Sequence, residues 1–286
     1  MELTTADYLP LVEYALSEDI GPGDITTDSL IEHTRHGRAK IIAREDLILC
    51  GMEVAQAVFV AVDRQLRVSV VHTDGSSLKD NDVACYIEGP LHAILKAERT
   101  ALNFIQRLSG IATQTAELVR KVASYNVRLL DTRKTTPGWR SLEKYAVFVG
   151  GGANHRFGLY DAVLIKNNHV DSIDGDLRHA VRRCRERTAP GTKIEVEVRS
   201  IEELQLALEA APDAILLDNM TPQALTNAVQ QARQSCPNIE LEASGGVNQE
   251  NLCAYAASGV DSISLGALTH SVHAVDLSLR YIKEAE

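Results

Sequence analysis

Residues 193–219 read KIEVEVRSIEELQLALEAAPDAILLDN, and this stretch decides the fold. Lys193–Val198 alternates apolar and acidic residues with the period of a strand. Ile201–Ala210 carries a helical pattern, and Ala214–Asp218 is a short apolar run of the kind a buried strand shows. A strand, a helix and a second strand in such short order predict a parallel pair with a right-handed crossover. The same grammar extends both ways. Val127–Asp131, Ala162–Lys166, Ile239–Ala243 and Asp261–Leu265 read as further strands, and Pro222–Gln234 and Gln249–Ser258 as helices. A closed barrel and an open doubly wound sheet both fit this alternation. Polar residues at the strand ends (Asp131, Lys166, Glu197, Asp218, Ser244) favour a barrel, whose chemistry gathers at its carboxyl rim, and six visible strands make it an incomplete one.

Upstream the grammar differs. Arg38–Ala43, Leu66–Val71 and Val83–Ile87 are β-like runs separated by turn material such as Thr73-Asp74-Gly75 and Glu88-Gly89-Pro90. Tyr8–Ser17 has helical spacing, Glu18–Thr27 (EDIGPGDITT) reads as a loop, and two helical patterns follow, about Leu91–Leu108 and Ile111–Ser124. The domains expected are 1–109, of α+β character, and 110–270, the barrel, with 271–286 packing on the first. A length of 286 residues suits one large unit or two domains at ~100–200 residues each.

Composition narrows the function. With 45% hydrophobic and 24% charged residues the chain is an ordinary globular one. It has no membrane-length apolar run and no export signal at MELTTADYLP, so a soluble, cytoplasmic protein is expected. A net charge of −10 argues against nucleic acid as the main partner. Between Arg128 and Lys166, however, seven Lys/Arg face three acids, so this window is +4 and the remainder −14. A basic island in an acidic chain points to a small anionic ligand. Five scattered cysteines without ligand spacing read as reduced core thiols, which argues against a disulfide framework and a structural zinc.

The densest chemistry lies at Asp131–Arg140 (DTRKTTPGWR), where Arg133 and Lys134 follow a strand directly. Arg offers a planar fork to carboxylate or phosphate, and Lys a compact charge. Gly150–Gly158 (GGGANHRFG) places His155 and Arg156 after three glycines, and Lys166 closes the next apolar strand, with His169 left without a role. Glu195 and Glu197 share one side of their strand. Ion pairing to the Lys and Arg near it is the bland reading of Glu195. Glu197 and Asp218 are the carboxylates that would hold Mg²⁺ through water or stabilise positive charge on a ligand. Ser244-Gly245-Gly246 and Gly266 follow the last two strands, where a β/α barrel grips phosphate.

Beyond these features, the ordered blocks EDIGPGDITT, ERTALNFIQRLSGIAT, DTRKTTPGWR, KYAVFVGGGANHRFGLYDAVLIKNNH, EVEV, ILLDN, EASGG and GVDSISLGALTHS resemble the quinolinate phosphoribosyltransferase family over nearly the whole chain. The resemblance implies an N-terminal α/β sandwich and a C-terminal incomplete α/β barrel of six to seven strands. It implies Mg²⁺-dependent transfer from phosphoribosyl pyrophosphate (PRPP) to quinolinate with decarboxylation, giving nicotinate mononucleotide, pyrophosphate and CO₂ in NAD biosynthesis. It further implies a homodimer, or a higher assembly, with a shared site. By that resemblance Thr132, Arg133, Arg156 and Lys166 would bind quinolinate with His155 and Lys134 beside them, and Arg99 would enter from a second subunit. Lys134, Glu197 and Asp218 would be catalytic, the two carboxylates lying near the ribose and Mg²⁺. Ser244, Gly245, Gly246, Gly266 and His270 would take the 5′-phosphate. The alternatives are a molybdenum-transport-associated paralogue, nicotinate phosphoribosyltransferase and a non-catalytic sensor of a phosphorylated metabolite.

Overall fold

The structure is a computed structural model, described here for residues 1–173 and 176–283. Its strands, in chain order, are β1 (His36–Ala43), β2 (Leu47–Ile48), β3 (Arg67–Val70), β4 (Ser77–Leu78), β5 (Val83–Pro90), β6 (Arg128–Leu130), β7 (Val163–Ile165), β8 (Ile194–Val198), β9 (Ala214–Asp218), β10 (Glu240–Ser244), β11 (Ser262–Ser264) and β12 (Leu277–Ile282). The chain forms two compact units. One comprises Met1–Ala116, Thr135–Gly151 and the segment from Leu268 onward, the other Glu117–Lys134 and Gly152–Ala267.

The first unit carries an antiparallel sheet in the order β12-β1-β5-β3 and a small β2-β4 ribbon. β12, within the segment 271–286, pairs along β1 from Arg38↔Ile282 to Ala43↔Leu277; residues 284–286 of that segment lie outside the described residues. The helix Met52–Val62 buries Val54, Ala55, Val58 and Phe59. Two expectations change here. EDIGPGDITT is not wholly a loop: a helix runs on to Ile20, and the Asp24 carboxylate caps a second helix, Ile25–Leu30, by accepting the backbone N–H groups of Thr26 and Thr27 at 3.1 and 3.0 Å. The two helical patterns around residue 110 are one helix, Leu91–Lys121. Gly110 reads as a break but serves as a close approach, because a Cβ there would lie 2.2 Å from the His273 carbonyl oxygen.

The second unit is a parallel sheet in the order β6-β11-β10-β9-β8-β7, with one further parallel bridge from Leu130 to Ala153. All six expected strands are present. This is the incomplete α/β barrel, open between the Ala153 strip and β7. Register assigns its two faces. Ile194, Val196, Val198, Ile215, Leu217, Leu241, Ala243 and Ile263 are all fully buried on the helix-covered side. The opposite face carries Arg128, Glu195, Glu197, Asp218, Glu240, Glu242, Ser244, Ser262 and Ser264. Branched apolar residues ordinarily fill such a barrel. Here Leu130, Leu164, Ala214 and Leu216 share that face with many more polar residues.

Candidate active site

Because all six strands are parallel, their carboxyl ends share one rim. Thr132, Arg133 and Lys134 follow β6, Lys166 follows β7, Glu197 and Asp218 lie at the ends of β8 and β9, Ser244 ends β10, and Gly266 lies beyond β11. Eight of the candidate residues therefore belong to one end of one sheet, with Gly245 and Gly246 continuing from Ser244. Arg99 and His270 belong to the other unit, Arg99 exposed on the helix Leu91–Lys121 and His270 exposed with Nδ1 2.7 Å from Ser271 Oγ.

Asp131 ties two loops of this rim together. It is fully buried and accepts hydrogen bonds from the Asn154 side-chain amide at 2.5 Å and the His155 N–H at 2.9 Å. Thr132 Oγ1 accepts the Lys134 N–H at 3.0 Å, which turns the chain sharply through Arg133. The Arg156 guanidinium is steadied by the Ala162 carbonyl, 2.9 Å from Nη1. Burial, then the charge of Arg133, pull Arg156 below its ordinary value, against Glu195 and Asp161. Two guanidiniums near enough to oppose each other mark a place prepared for an anion.

The carboxylates occupy the following strands. Glu197 Oε1 is 3.4 Å from the Asn167 N–H, and Asp218 Oδ2 accepts from the Asn219 side chain at 2.9 Å. Gly245 has φ +87°, and a Cβ there would lie 2.2 Å from Asn219 Oδ1, so only glycine fits this turn. His169 is structural, its Nδ1 accepting the Lys166 N–H at 2.9 Å. The ion pair expected between Glu195 and its neighbouring Lys and Arg is replaced by a contact with His155. Lys193 pairs with Glu240 and Arg199 with Glu203, while Glu195 lies 3.1 Å from His155 Nε2.

Sequence reasoning missed Glu242. It is 3% exposed and 3.6 Å from His155 Nε2; burial, then the charge of Glu195, push its carboxyl up to about 7. The signal was available, since Glu240, Glu242 and Ser244 repeat the alternation of Glu195 and Glu197. Also missed was the anchor of the second half of DTRKTTPGWR. Fully buried Glu143 accepts from Arg107 at 2.6 Å and from the Thr136 N–H at 3.0 Å, and Trp139 stacks on Phe104.

Fold and rim together define an incomplete α/β barrel with basic residues beside two carboxylates at its carboxyl end. Comparison with known proteins makes the class specific. Residues 111–280 match the quinolinate phosphoribosyl transferase C-terminal domain, and residues 24–109 the N-terminal domain of the same family. A Bacillus subtilis (strain 168) protein described as a probable carboxylating nicotinate-nucleotide pyrophosphorylase is 41% identical over 94% of this chain and 91% of its own. A decarboxylating quinolinate phosphoribosyltransferase of Nicotiana tabacum is 38% identical over 96% of this chain and 83% of its own. The solved nicotinate-nucleotide pyrophosphorylase of Francisella tularensis superposes with a TM-score of 0.92 at 40% identity, covering 98% of each chain. The chain belongs to the quinolinate phosphoribosyltransferase family, and it is a phosphoribosyltransferase. Among the described residues no helix is long and apolar enough to cross a membrane.

Proposed function

We propose that this enzyme transfers phosphoribose from PRPP to quinolinate and decarboxylates the adduct to nicotinate mononucleotide. The observation that carries this reading is the crowding of Arg133 against Arg156 on the rim that also bears Lys166. A dicarboxylate uses that many cations, whereas nicotinate has only one carboxylate. The molybdenum-associated alternative is disfavoured by the complete DTRK and HR blocks, and a sensor has little use for carboxylates beside a ribose.

Thr132, Arg133, Arg156 and Lys166 dock the two carboxylates of quinolinate, with Lys134 at the mouth of the pocket. Ser244, Gly245, Gly246 and Gly266 receive the 5′-phosphate, the glycine backbone allowing close approach. As pyrophosphate leaves, Glu197 and Asp218 stabilise positive charge developing on the ribose. Attachment of ribose makes the pyridine nitrogen cationic; as the C2–CO₂ bond breaks, that charge stabilises the electron pair left on C2, which then takes a proton from solvent. None of this needs a covalent nucleophile.

The donor set suits Mg²⁺. Glu197 and Asp218 are hard oxygen ligands at adjacent strand ends, lightly engaged and half-buried, which fits binding through water. Such an ion would neutralise charge on the departing pyrophosphate.

The exposure of Arg99 supports a homodimer in which each subunit lends this residue to its neighbour's pocket. Two measurements test the reading. Quinolinate with PRPP should release CO₂ and form nicotinate mononucleotide, while nicotinate should not substitute; the opposite preference sinks it. Mixing Arg99→Ala with Lys166→Ala subunits should restore part of the activity that neither has alone, and no restoration under verified subunit exchange rules out the shared site.

A further inference from the structure

His155 Nε2 and carboxylate oxygens of Glu195 and Glu242 lie within 4.8 Å of one another inside the barrel, along a cavity of about 390 Å³. Such a cluster can hold a cation or a proton. Glu195 and Glu242 are 5% and 3% exposed, and Glu242 Oε1 is buried with no hydrogen-bond partner, so the cluster is a built feature of the interior.

The other ring nitrogen decides between the two. His155 Nδ1 accepts the Arg156 backbone N–H at 2.7 Å, so it presents a lone pair and carries no hydrogen. The single proton of a neutral imidazole therefore sits on Nε2, aimed at Glu195 Oε2, 3.1 Å away. A metal on Nε2 would need that lone pair too, leaving the ring without any proton. Metal-bound histidines instead donate their second N–H to an acceptor. The same contact opposes an imidazolium, since a hydrogen on Nδ1 would displace the Arg156 N–H.

We infer that Glu195 and Glu242 hold His155 as the Nε2–H tautomer, so that the imidazole is a neutral strut fixing the backbone of Arg156 rather than one more cation for the substrate. The strut is continuous. Asp131 fixes the His155 N–H, His155 fixes the Arg156 N–H, and the Arg156 guanidinium meets the Ala162 carbonyl. Glu195 is thus a positioning residue, and its effect on quinolinate binding rests on the function proposed above.

The tautomer is read without any activity. ¹⁵N NMR of the full chain with ¹⁵N-labelled histidine, with the His155 signals assigned by their loss in His155→Asn, should place Nδ1 in the unprotonated range and Nε2 in the protonated range near neutral pH. Two protonated nitrogens, the reverse tautomer, or one equivalent of Zn²⁺ held by the wild type and lost from Glu242→Gln would each overturn the inference. Glu195→Leu should raise the quinolinate KM roughly tenfold with a smaller change in kcat, and Glu195→Gln, which keeps a carbonyl acceptor, should recover most of it. Equal losses in the Gln and Leu variants would count against positioning through an accepted hydrogen bond. A failure of quinolinate as substrate would leave the NMR result standing.

Discussion

The two ends of the barrel treat charge in opposite ways. At the amino end Glu240 lies between Arg128 at 2.5 Å and Lys193 at 2.7 Å, Asp213 meets Arg185 at 2.9 Å, and Asp261 meets Arg233 at 2.7 Å. Burial pushes the Glu240 carboxyl up, yet Lys193 and Arg128 more than offset it and hold it below its usual range. At the carboxyl end the charge of Arg133 opposes that of Arg156, with Glu195 and Asp161 acting the other way. One end has satisfied its charges within the fold. The other also sets two guanidiniums against each other, an arrangement that a bound anion would relieve. Loss of a group should therefore cost activity at the carboxyl rim and stability at the amino mouth.

The strongest way to break this contrast is to truncate the rim. Arg133→Ala should lower kcat/KM on the order of 10³-fold, the scale of losing a preorganised charged donor, and Lys134→Ala should do likewise. Melting temperatures should stay within about 2 °C of the parent, as for a residue whose work is binding. A variant that keeps full turnover, or one that unfolds instead, would erase the distinction between the two ends.

Glu242 lies between these regimes, a carboxylate beside the like charge of Glu195. Its carboxyl ordinarily titrates near 4.5 and is raised to about 7 in the folded protein. Between those values the folded state binds more protons than the unfolded one, so stability falls as pH rises through that window. The fall should be on the order of 2 kcal/mol, because the charge of Glu195 acts on the same carboxyl and the two titrate together. Glu242→Gln cannot titrate, so denaturant midpoints measured across the window should show a flatter profile.

The barrel was legible because each of its strands is a short apolar run with a polar end, and periodicity reports such a pattern whatever surrounds it. The rim followed from the same ends, since parallel strands bring them to one side. What stayed hidden depended on partners distant in sequence. β12 has ordinary composition and becomes a strand by pairing with β1, more than 230 residues upstream. Gly110 resembles a helix break until the chain near His273 is brought beside it. Glu242 looked like one more acid on an alternating strand, and only the closure of the sheet places it against Glu195 and His155. The tautomer of His155 was beyond any sequence pattern, because the hydrogen bond that sets it comes from a backbone N–H.

At the amino mouth the pairs differ in what else they hold. Arg233 reaches Asp261 with one amino group 2.7 Å from both carboxylate oxygens, and Asp261 also accepts the Leu241 N–H at 2.7 Å. Asp261→Asn removes the charge and one acceptor together, so it should cost about 1–2 kcal/mol in denaturant unfolding with kcat/KM unchanged. A fall in kcat/KM matching the loss of stability would mean that the two ends are not functionally separate.

The smallest effect belongs to Arg178 and Glu209, 3.1 Å apart with side chains 65% and 58% exposed. Water already solvates both groups, and holding two long side chains in one geometry costs rotamer entropy that offsets the attraction. Arg178→Ala should therefore shift unfolding by less than about 0.5 kcal/mol and leave turnover unchanged. If it destabilised the chain as much as Asp261→Asn, ion pairing alone would account for the amino mouth. The expected gap between the two variants instead credits the backbone N–H that Asp261 satisfies, because an exposed pair tests attraction alone while Asp261 carries attraction and a buried donor together.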